Sequence, residues 1–172
     1  MEGTFNFTAI AFTGNATGTK TVTDGSFSLE VKPNGTVGPL PENQGHKASA
    51  TFNGTAFNGA DVTGIYNGNT LGVSAATNTR TLSITLSNVT APGTYALSNT
   101  NPLRSMGTST FNGTTVTSTH SSSFTGSSGS VTITSLTATR IKGTFNAVLA
   151  PAPGTTGNMT ITNGTFDIGR QF

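Results

Sequence analysis

The sequence of 172 residues contains no cysteine and no tryptophan, and little charge. Without cysteine the chain forms no disulfide and no thiolate metal site. Charged residues make up 8% of the sequence, whereas about 25% is usual for globular proteins. The eight basic residues form no run that could follow a phosphate backbone. We therefore predict no nucleic-acid partner, although the calculated pI is near 9.3.

Long hydrophobic stretches are also missing. No segment approaches the ~18 consecutive apolar residues of a membrane-spanning helix, and the first residues do not form a charged and then apolar leader. We therefore predict no membrane span, and we expect any export signal to lie outside these residues.

The sequence has no recognisable catalytic constellation. His120 is followed by a serine run, but neighbouring residues on a strand point to opposite faces. Paired carboxylates for glycoside hydrolysis, or clustered ones for calcium, would require acids that lie close together. We predict a protein that is not an enzyme and that uses no metal and no cofactor. The acidic residues are isolated along the sequence: Glu2, Asp24, Glu30, Glu42, Asp61 and Asp167.

The residues that are abundant favour β-structure. Threonine, serine, asparagine and glycine supply about half of the chain, and threonine is a good strand former. Asn-Gly pairs, which suit tight hairpin turns, separate short runs in which apolar and polar residues alternate. We predict an all-β antiparallel sandwich, with a barrel as the alternative, and no substantial helix. Strands are predicted near 3–12, 19–31, 47–57, 61–66, 69–75, 80–88, 93–97, 107–119, 129–137, 140–149 and 158–168.

One phrase occurs near both ends of the chain. TVTDGSFSLE at 21–30 is nearly restated as TITNGTFDIG at 160–169, and GTFN at 3–6 recurs at 143–146. Each copy is predicted to be a two-stranded unit. At Asp24-Gly25 and at Asn163-Gly164 the alternating apolar residues change from one parity of positions to the other. Such a change requires a tight turn or a bulge. We favour the bulge, because a hairpin that turned there would have very short arms.

The repeat suggests a division of the chain into a hairpin at 1–31, a Pro/Gly-rich connector at 32–46 and a β-sandwich module at 47–172. One interpretation is a tandem array, in which 1–31 resembles the end of a preceding module. The other is an internal duplication within one sandwich. The sequence leaves both interpretations open.

Residues 129–168 resemble a family of uncharacterised secreted or lipoprotein-type β-domains of Bacteroidota. Members of that family close with similar GTVTITS, ISGTFSF and ITNGSFD strands. FNGTAFNG at 52–59, TLSITLSN at 81–88 and PGTYAL at 92–97 are similar in order and spacing. The likeness covers 47–169, and 1–31 looks like a second copy of its end. The resemblance implies an all-β fold and a location at the bacterial envelope or surface. It supplies no catalytic residues.

We therefore expect a structural or adhesive module, secreted or at the cell surface, that forms one unit of an array or fibre. The N-terminal hairpin would pair with a sheet edge of another copy or of a neighbouring module. The residues predicted to pack in that contact are Phe5, Phe7, Val22, Phe27 and Leu29.

Two alternatives rest on other residues. A carbohydrate-binding module would hold a surface glycan through Tyr66, beside the Asn67-Gly68 turn, and Tyr95. An ice-binding protein would use the Thr-x-Thr runs as a flat hydroxyl array.

Overall fold

A computed structural model of the chain describes residues 2–10, 19–28 and 45–169. Most of the predicted connector, residues 32–44, lies outside the described residues. The chain divides into two compact units, Met1–Pro39 and Leu40–Phe172. The described residues form thirteen β-strands and no helix, which confirms the all-β prediction. In this part of the chain no helix has the length and apolar character needed to cross a membrane.

The first unit contains a two-stranded antiparallel sheet. Strand β1 spans Glu2–Ile10 and strand β2 spans Thr19–Ser28. We call this pair the N-terminal ribbon.

The second unit contains an antiparallel sheet of eleven strands. The strands are β3 (Lys47–Phe52), β4 (Thr55–Asn58), β5 (Asp61–Asn67), β6 (Thr70–Ala76), β7 (Arg80–Leu86), β8 (Gly93–Ala96), β9 (Arg104–Asn112), β10 (Thr115–Ser121), β11 (Ser128–Leu136), β12 (Arg140–Pro151) and β13 (Met159–Gly169). The sheet order is β4-β3-β13-β12-β10-β9-β7-β6-β5, with β11 also paired to β12 and β8 paired to β11.

The sheet is strongly curled around one core, as in a sandwich or a barrel. Strand β12 allows the curl, because its first part pairs with β11 and its last residues, Ala150 and Pro151, pair with β10. The curl brings β5 against β13. A Cβ added to Gly64 would lie 2.5 Å from the Ile168 side chain, so this close approach requires glycine.

The core is built by alternation along the strands. In β7, Leu82, Ile84 and Leu86 are almost completely buried, whereas Ser83 between them is exposed. One face of each such strand therefore lies in the core and the other faces solvent. Strands from both ends of the sheet order contribute to a single cluster of buried apolar side chains.

Two predicted strands have to be corrected. The segment 47–57 is two strands, β3 and β4, because Asn53 and Gly54 both adopt positive φ and reverse the chain. The segment 107–119 is likewise β9 and β10, which turn at Gly113. In the first segment the apolar alternation of β3 continues into β4 and hides the turn, whereas the second segment has too few apolar residues to show any alternation.

Candidate functional site

The N-terminal ribbon and the β12–β13 pair have the same strand register. Each is antiparallel, and equivalent residues face each other position by position along both pairs. The repeated sequence therefore encodes a repeated structural element. The matching pairs are Gly3–Phe27 with Gly143–Phe166, Thr4–Ser26 with Thr144–Thr165, Phe5–Gly25 with Phe145–Gly164, and Phe7–Val22 with Ala147–Ile161.

Both ribbons carry a bulge at the same place. The register shifts between Phe5 and Phe7 in one and between Phe145 and Ala147 in the other. Asp24 has φ 57° and Asn163 has φ 53°, both in the left-handed region. Asp and Asn tolerate this conformation better than most residues. The predicted bulges are therefore confirmed.

In both ribbons the glycine after the bulge lies against a phenylalanine ring. A Cβ on Gly25 would come within 2.4 Å of the Phe5 ring, and a Cβ on Gly164 within 2.3 Å of the Phe145 ring. The ring therefore covers the glycine on the opposite strand, and a side chain there would displace it.

The two ribbons differ in what surrounds them. In the second unit β12 is flanked by β11 and β13 by β3. The inward side chains of β12 and β13 belong to the core, and the rings of Phe145 and Phe166 are 3% exposed and stack on each other at 6.5 Å. This setting shows what the repeated sequence packs against when its neighbours are present.

The equivalent face of the N-terminal ribbon is exposed. Phe5 and Phe7 are 44% and 51% exposed, and their rings stack at 6.1 Å. Val22 is half-buried. The backbone of Phe27 pairs with Gly3, but its side chain lies outside the described part of the structure, as does the whole of Leu29. The structure thus places Phe5, Phe7 and Val22 on one small sheet.

The two tyrosines of the carbohydrate hypothesis have structural partners. Tyr66 is 8% exposed and belongs to the core, and its hydroxyl donates to the Val89 carbonyl at 2.5 Å. Its ring therefore offers no face to a sugar, and the ligand contact expected of Tyr66 does not fit this position. Tyr95 is half-buried; its hydroxyl donates to Ala91 and its ring lies 5.7 Å from the Arg104 guanidinium.

His120 is buried at the end of β10. Its Nε2 donates to the Gly157 carbonyl at 3.1 Å, while Nδ1 has no hydrogen-bond partner among the described residues. Ser122 is also buried, and its Oγ accepts from the Met106 amide at 2.9 Å. These contacts join the end of β10 to the loop before β13 and the residue after β10 to the beginning of β9. No group of three metal-ligating side chains lies together in the described ranges.

The hydroxyl rows of the ice-binding hypothesis lie in register across part of the outer face. Thr81, Ser109 and Thr119 are paired across β7, β9 and β10. Ser109 and Thr119 hydrogen-bond each other at 3.3 Å. The sheet that carries these rows is strongly curled, whereas a flat array would be needed.

An arginine that sequence reasoning did not single out lies beside a polar cavity. Arg80 begins β7, and its guanidinium lies 4.6 Å from the centre of the Phe52 ring. Burial lowers the pKa of Arg80, because the charged form loses hydration there. The signal that could have revealed it is Thr-x-Thr-Arg, which occurs at 77–80 and again at 137–140.

The second of these arginines is part of an ion-pair cluster. Arg140 Nε and Lys142 Nζ lie 2.6 Å and 3.2 Å from the carboxylate oxygens of Asp167. Burial tends to raise the pKa of the Asp167 carboxyl, but hydrogen bonds from both bases and their positive charges outweigh it and hold that pKa below its ordinary value.

A comparison with known protein families gives a match to the second unit. The model of a domain of unknown function, DUF6252, matches residues 46–168. The match begins just before β3 and ends in β13, so it covers the eleven-stranded sheet and excludes the N-terminal ribbon. Searches of the curated proteins and of the solved structures gave no match. With most of its length in this match, the chain belongs to the DUF6252 family.

Proposed function

We propose that this protein is a structural or adhesive module that assembles through its N-terminal ribbon. The module is secreted or displayed at a bacterial surface and forms one unit of an array or fibre. The partner of the ribbon is another copy of the chain or a neighbouring module of the same kind. The observation that carries the proposal is the residue-by-residue match of the exposed ribbon to the buried β12–β13 pair.

The matching pair indicates what the ribbon binds. Where β12–β13 lies, the sheet supplies a strand on each side and an apolar floor beneath Phe145. Phe5 has the same place in the ribbon but remains exposed. The ribbon therefore carries the register and side-chain pattern that pack against a sheet of this family, and the contact proposed for it is a free edge of such a sheet.

Burial of the exposed aromatic face of the ribbon would be favourable in free energy. A lone two-stranded sheet is at best marginally stable in water. Full burial of a phenylalanine side chain contributes roughly 1.5–3 kcal/mol relative to exposure. Covering the stacked Phe5 and Phe7 rings would thus stabilise both the ribbon and the assembly.

The boundary of the family match is consistent with this function. The matched residues form a sheet that already contains its own closing ribbon, β12–β13. The N-terminal ribbon is an additional copy outside the matched range. An additional ribbon of this kind is suited to pairing with the sheet of another module.

Sedimentation velocity at increasing protein concentration tests the proposal. We expect the full chain to self-associate and the double variant Phe5→Ser/Phe7→Ser to shift towards monomer. Loss of about 1.4 kcal/mol weakens association tenfold, so removal of two rings predicts at least that change in dissociation constant.

The control is Leu103→Ser. Leu103 is as exposed as the ribbon phenylalanines, at 53%, but lies in the loop before β9 and not on a strand of a sheet edge. This variant should associate like the unmodified chain. A chain that stays monomeric at all concentrations, or ribbon and control variants that behave alike, would contradict the proposal.

A further inference from the structure

The chain uses one arginine-bearing turn twice. In the β6–β7 turn the Thr77 amide donates to the Arg80 carbonyl at 2.8 Å, and the Arg80 amide donates back to Thr77 Oγ1 at 3.1 Å. In the β11–β12 turn Thr137 and Arg140 make the same two bonds at 2.9 Å and 3.0 Å. The two arginines therefore leave their turns from equivalent backbone positions.

Only one of the two arginines has a carboxylate partner among the described residues. Arg140 donates through Nε to Asp167. Arg80 stacks over the Phe52 ring, and its Nη1 donates to the sulfur of Met159 at 3.4 Å. A guanidinium carries five N–H donors, and a thioether sulfur is a weak acceptor. Most of the donor capacity of Arg80 is thus not used by the described protein groups.

The Phe52 ring fixes this guanidinium in a half-buried position. Removing a cation from water is costly unless an anion and hydrogen bonds compensate. In the equivalent turn that compensation comes from a carboxylate of the protein. The comparison indicates that Arg80 is positioned to bind the carboxylate of a ligand.

A polar cavity of about 340 Å³ adjoins Arg80. It lies between β4 and the β6–β7 turn. Hydroxyl groups and one carboxamide form most of its polar rim, and the cavity is larger than a carboxylate alone requires. The lining residues are Thr55, Ala56, Phe57, Asn58, Thr77, Thr79 and Arg80.

We propose that this cavity binds the carboxylate of a small polyhydroxylated acid, the chemistry of a uronic acid, with Arg80 as the carboxylate-binding residue. The planar guanidinium matches the two oxygens of a carboxylate. Asn58 and the threonine hydroxyls offer donors and acceptors to the hydroxyl groups of the ligand. This site is independent of the ribbon and of the assembly proposed above.

Titration followed by amide chemical shifts tests the site, with glucuronate, glucose, acetate and phosphate as probes. We expect glucuronate to shift the amides of β4 and of the β6–β7 turn at millimolar concentration. Glucose, which lacks the carboxylate, should cause no shift, and acetate should bind more weakly than glucuronate. Equal binding of phosphate and glucuronate, or no glucuronate shifts, would overturn the proposal.

A pair of substitutions in the two turns provides the matched variant and control. Thr79→Asp places a carboxylate on the cavity rim, and Thr139→Asp places one in the equivalent turn outside the cavity. Both threonines are exposed, so both variants should fold. We expect Thr79→Asp to weaken glucuronate binding at least tenfold and Thr139→Asp to leave it unchanged. The proposal fails if both variants bind like the unmodified chain, or if both lose binding alike.

Substitution of the arginine itself gives a second comparison. Arg80→Gln should abolish the glucuronate shifts. Arg104→Gln removes a guanidinium that also lies over an aromatic ring, that of Tyr95, but outside the cavity. It should retain binding, and loss of binding in Arg104→Gln but not in Arg80→Gln would contradict the assignment.

Discussion

Gly164 lies directly against the ring of Phe145 on the neighbouring strand, so closely that a Cβ there would be 2.3 Å from the ring. Gly25 and Phe5 have the same relationship in the N-terminal ribbon. The contact depends on the bulge that precedes each glycine. The same glycine–phenylalanine contact thus occurs twice, once inside the core and once with its aromatic ring exposed.

The first prediction compares Gly164→Ala with Gly25→Ala. Phe145 is buried and cannot move aside, so Gly164→Ala should lower the free energy of unfolding by about 2 kcal/mol or more, as overpacking does. Phe5 is exposed and can rotate away, so Gly25→Ala should leave the stability of the second unit unchanged. Chemical denaturation measures both.

Gly72→Ala is the control for this comparison, because a Cβ at Gly72 would meet no atom within 4 Å. Its midpoint should stay near that of the unmodified chain. If Gly72→Ala and Gly164→Ala lowered the midpoint equally, the contact with the Phe145 ring would not explain the loss of stability.

The second prediction concerns Asn163, which holds a left-handed conformation with φ 53° at the bulge. Substitution by a β-branched residue forces that residue into a conformation costing roughly 1–2 kcal/mol. We expect Asn163→Val to lower the thermal midpoint, whereas Asn163→Gly should have little effect because glycine adopts positive φ readily. If both substitutions destabilised the chain equally, the backbone explanation would be wrong.

The sequence predicted much of this local structure. The phase switch at Asp24 and Asn163 correctly indicated bulges, because a shift in side-chain parity has few structural causes. The hairpin turn at Asn53-Gly54 was missed, since the apolar alternation of β3 continues into β4. Tyr66 was chosen as a possible ligand contact because it lies beside the Asn67-Gly68 turn. In the structure it has the strand parity of the buried Gly64 and belongs to the core.

The sequence could not predict contacts between distant strands. Arg80 and Phe52 approach each other only because the curled sheet brings the β6–β7 turn to the β3–β4 hairpin. No local pattern encodes such a contact. The same limit applies to the N-terminal ribbon: its sequence shows a repeated element, and only the structure shows that one copy has an exposed aromatic face.

The third prediction is a pH dependence at Asp167. Because the pKa of this carboxyl is lowered in the folded chain, its ion pairs stabilise the fold at pH values above the ordinary aspartate pKa of about 3.9. The contribution disappears as the pH falls through the lowered folded pKa. Asp167→Asn should therefore be less stable than the unmodified chain at pH 7.

The measurement is urea denaturation of both proteins from pH 7 down to pH 2. The difference should be modest, up to about 1 kcal/mol, because the group is partly exposed to solvent. It should shrink as the solution becomes acidic. A difference that stays constant over this range would argue against the ion pairs as its source.

The fourth prediction concerns the role of Tyr66. Tyr66→Phe removes the hydroxyl that donates to Val89 and leaves that carbonyl without this partner in the core. We expect a loss of roughly 1–3 kcal/mol in the free energy of unfolding. Tyr95→Phe, whose ring is less buried, should lose less. If Tyr66→Phe kept full stability but lost polysaccharide binding in a pull-down, Tyr66 would be a ligand contact after all.

If the N-terminal ribbon joins modules, its removal should abolish assembly. Light scattering coupled to size exclusion, at several concentrations, measures this on the full chain and on a chain without residues 1–31. The second unit has its own core, so the shortened chain should remain folded by circular dichroism. We expect oligomers of the full chain that grow with concentration and a monomer after the deletion. A full chain that is monomeric at every concentration, or oligomers that persist without the ribbon, would contradict it.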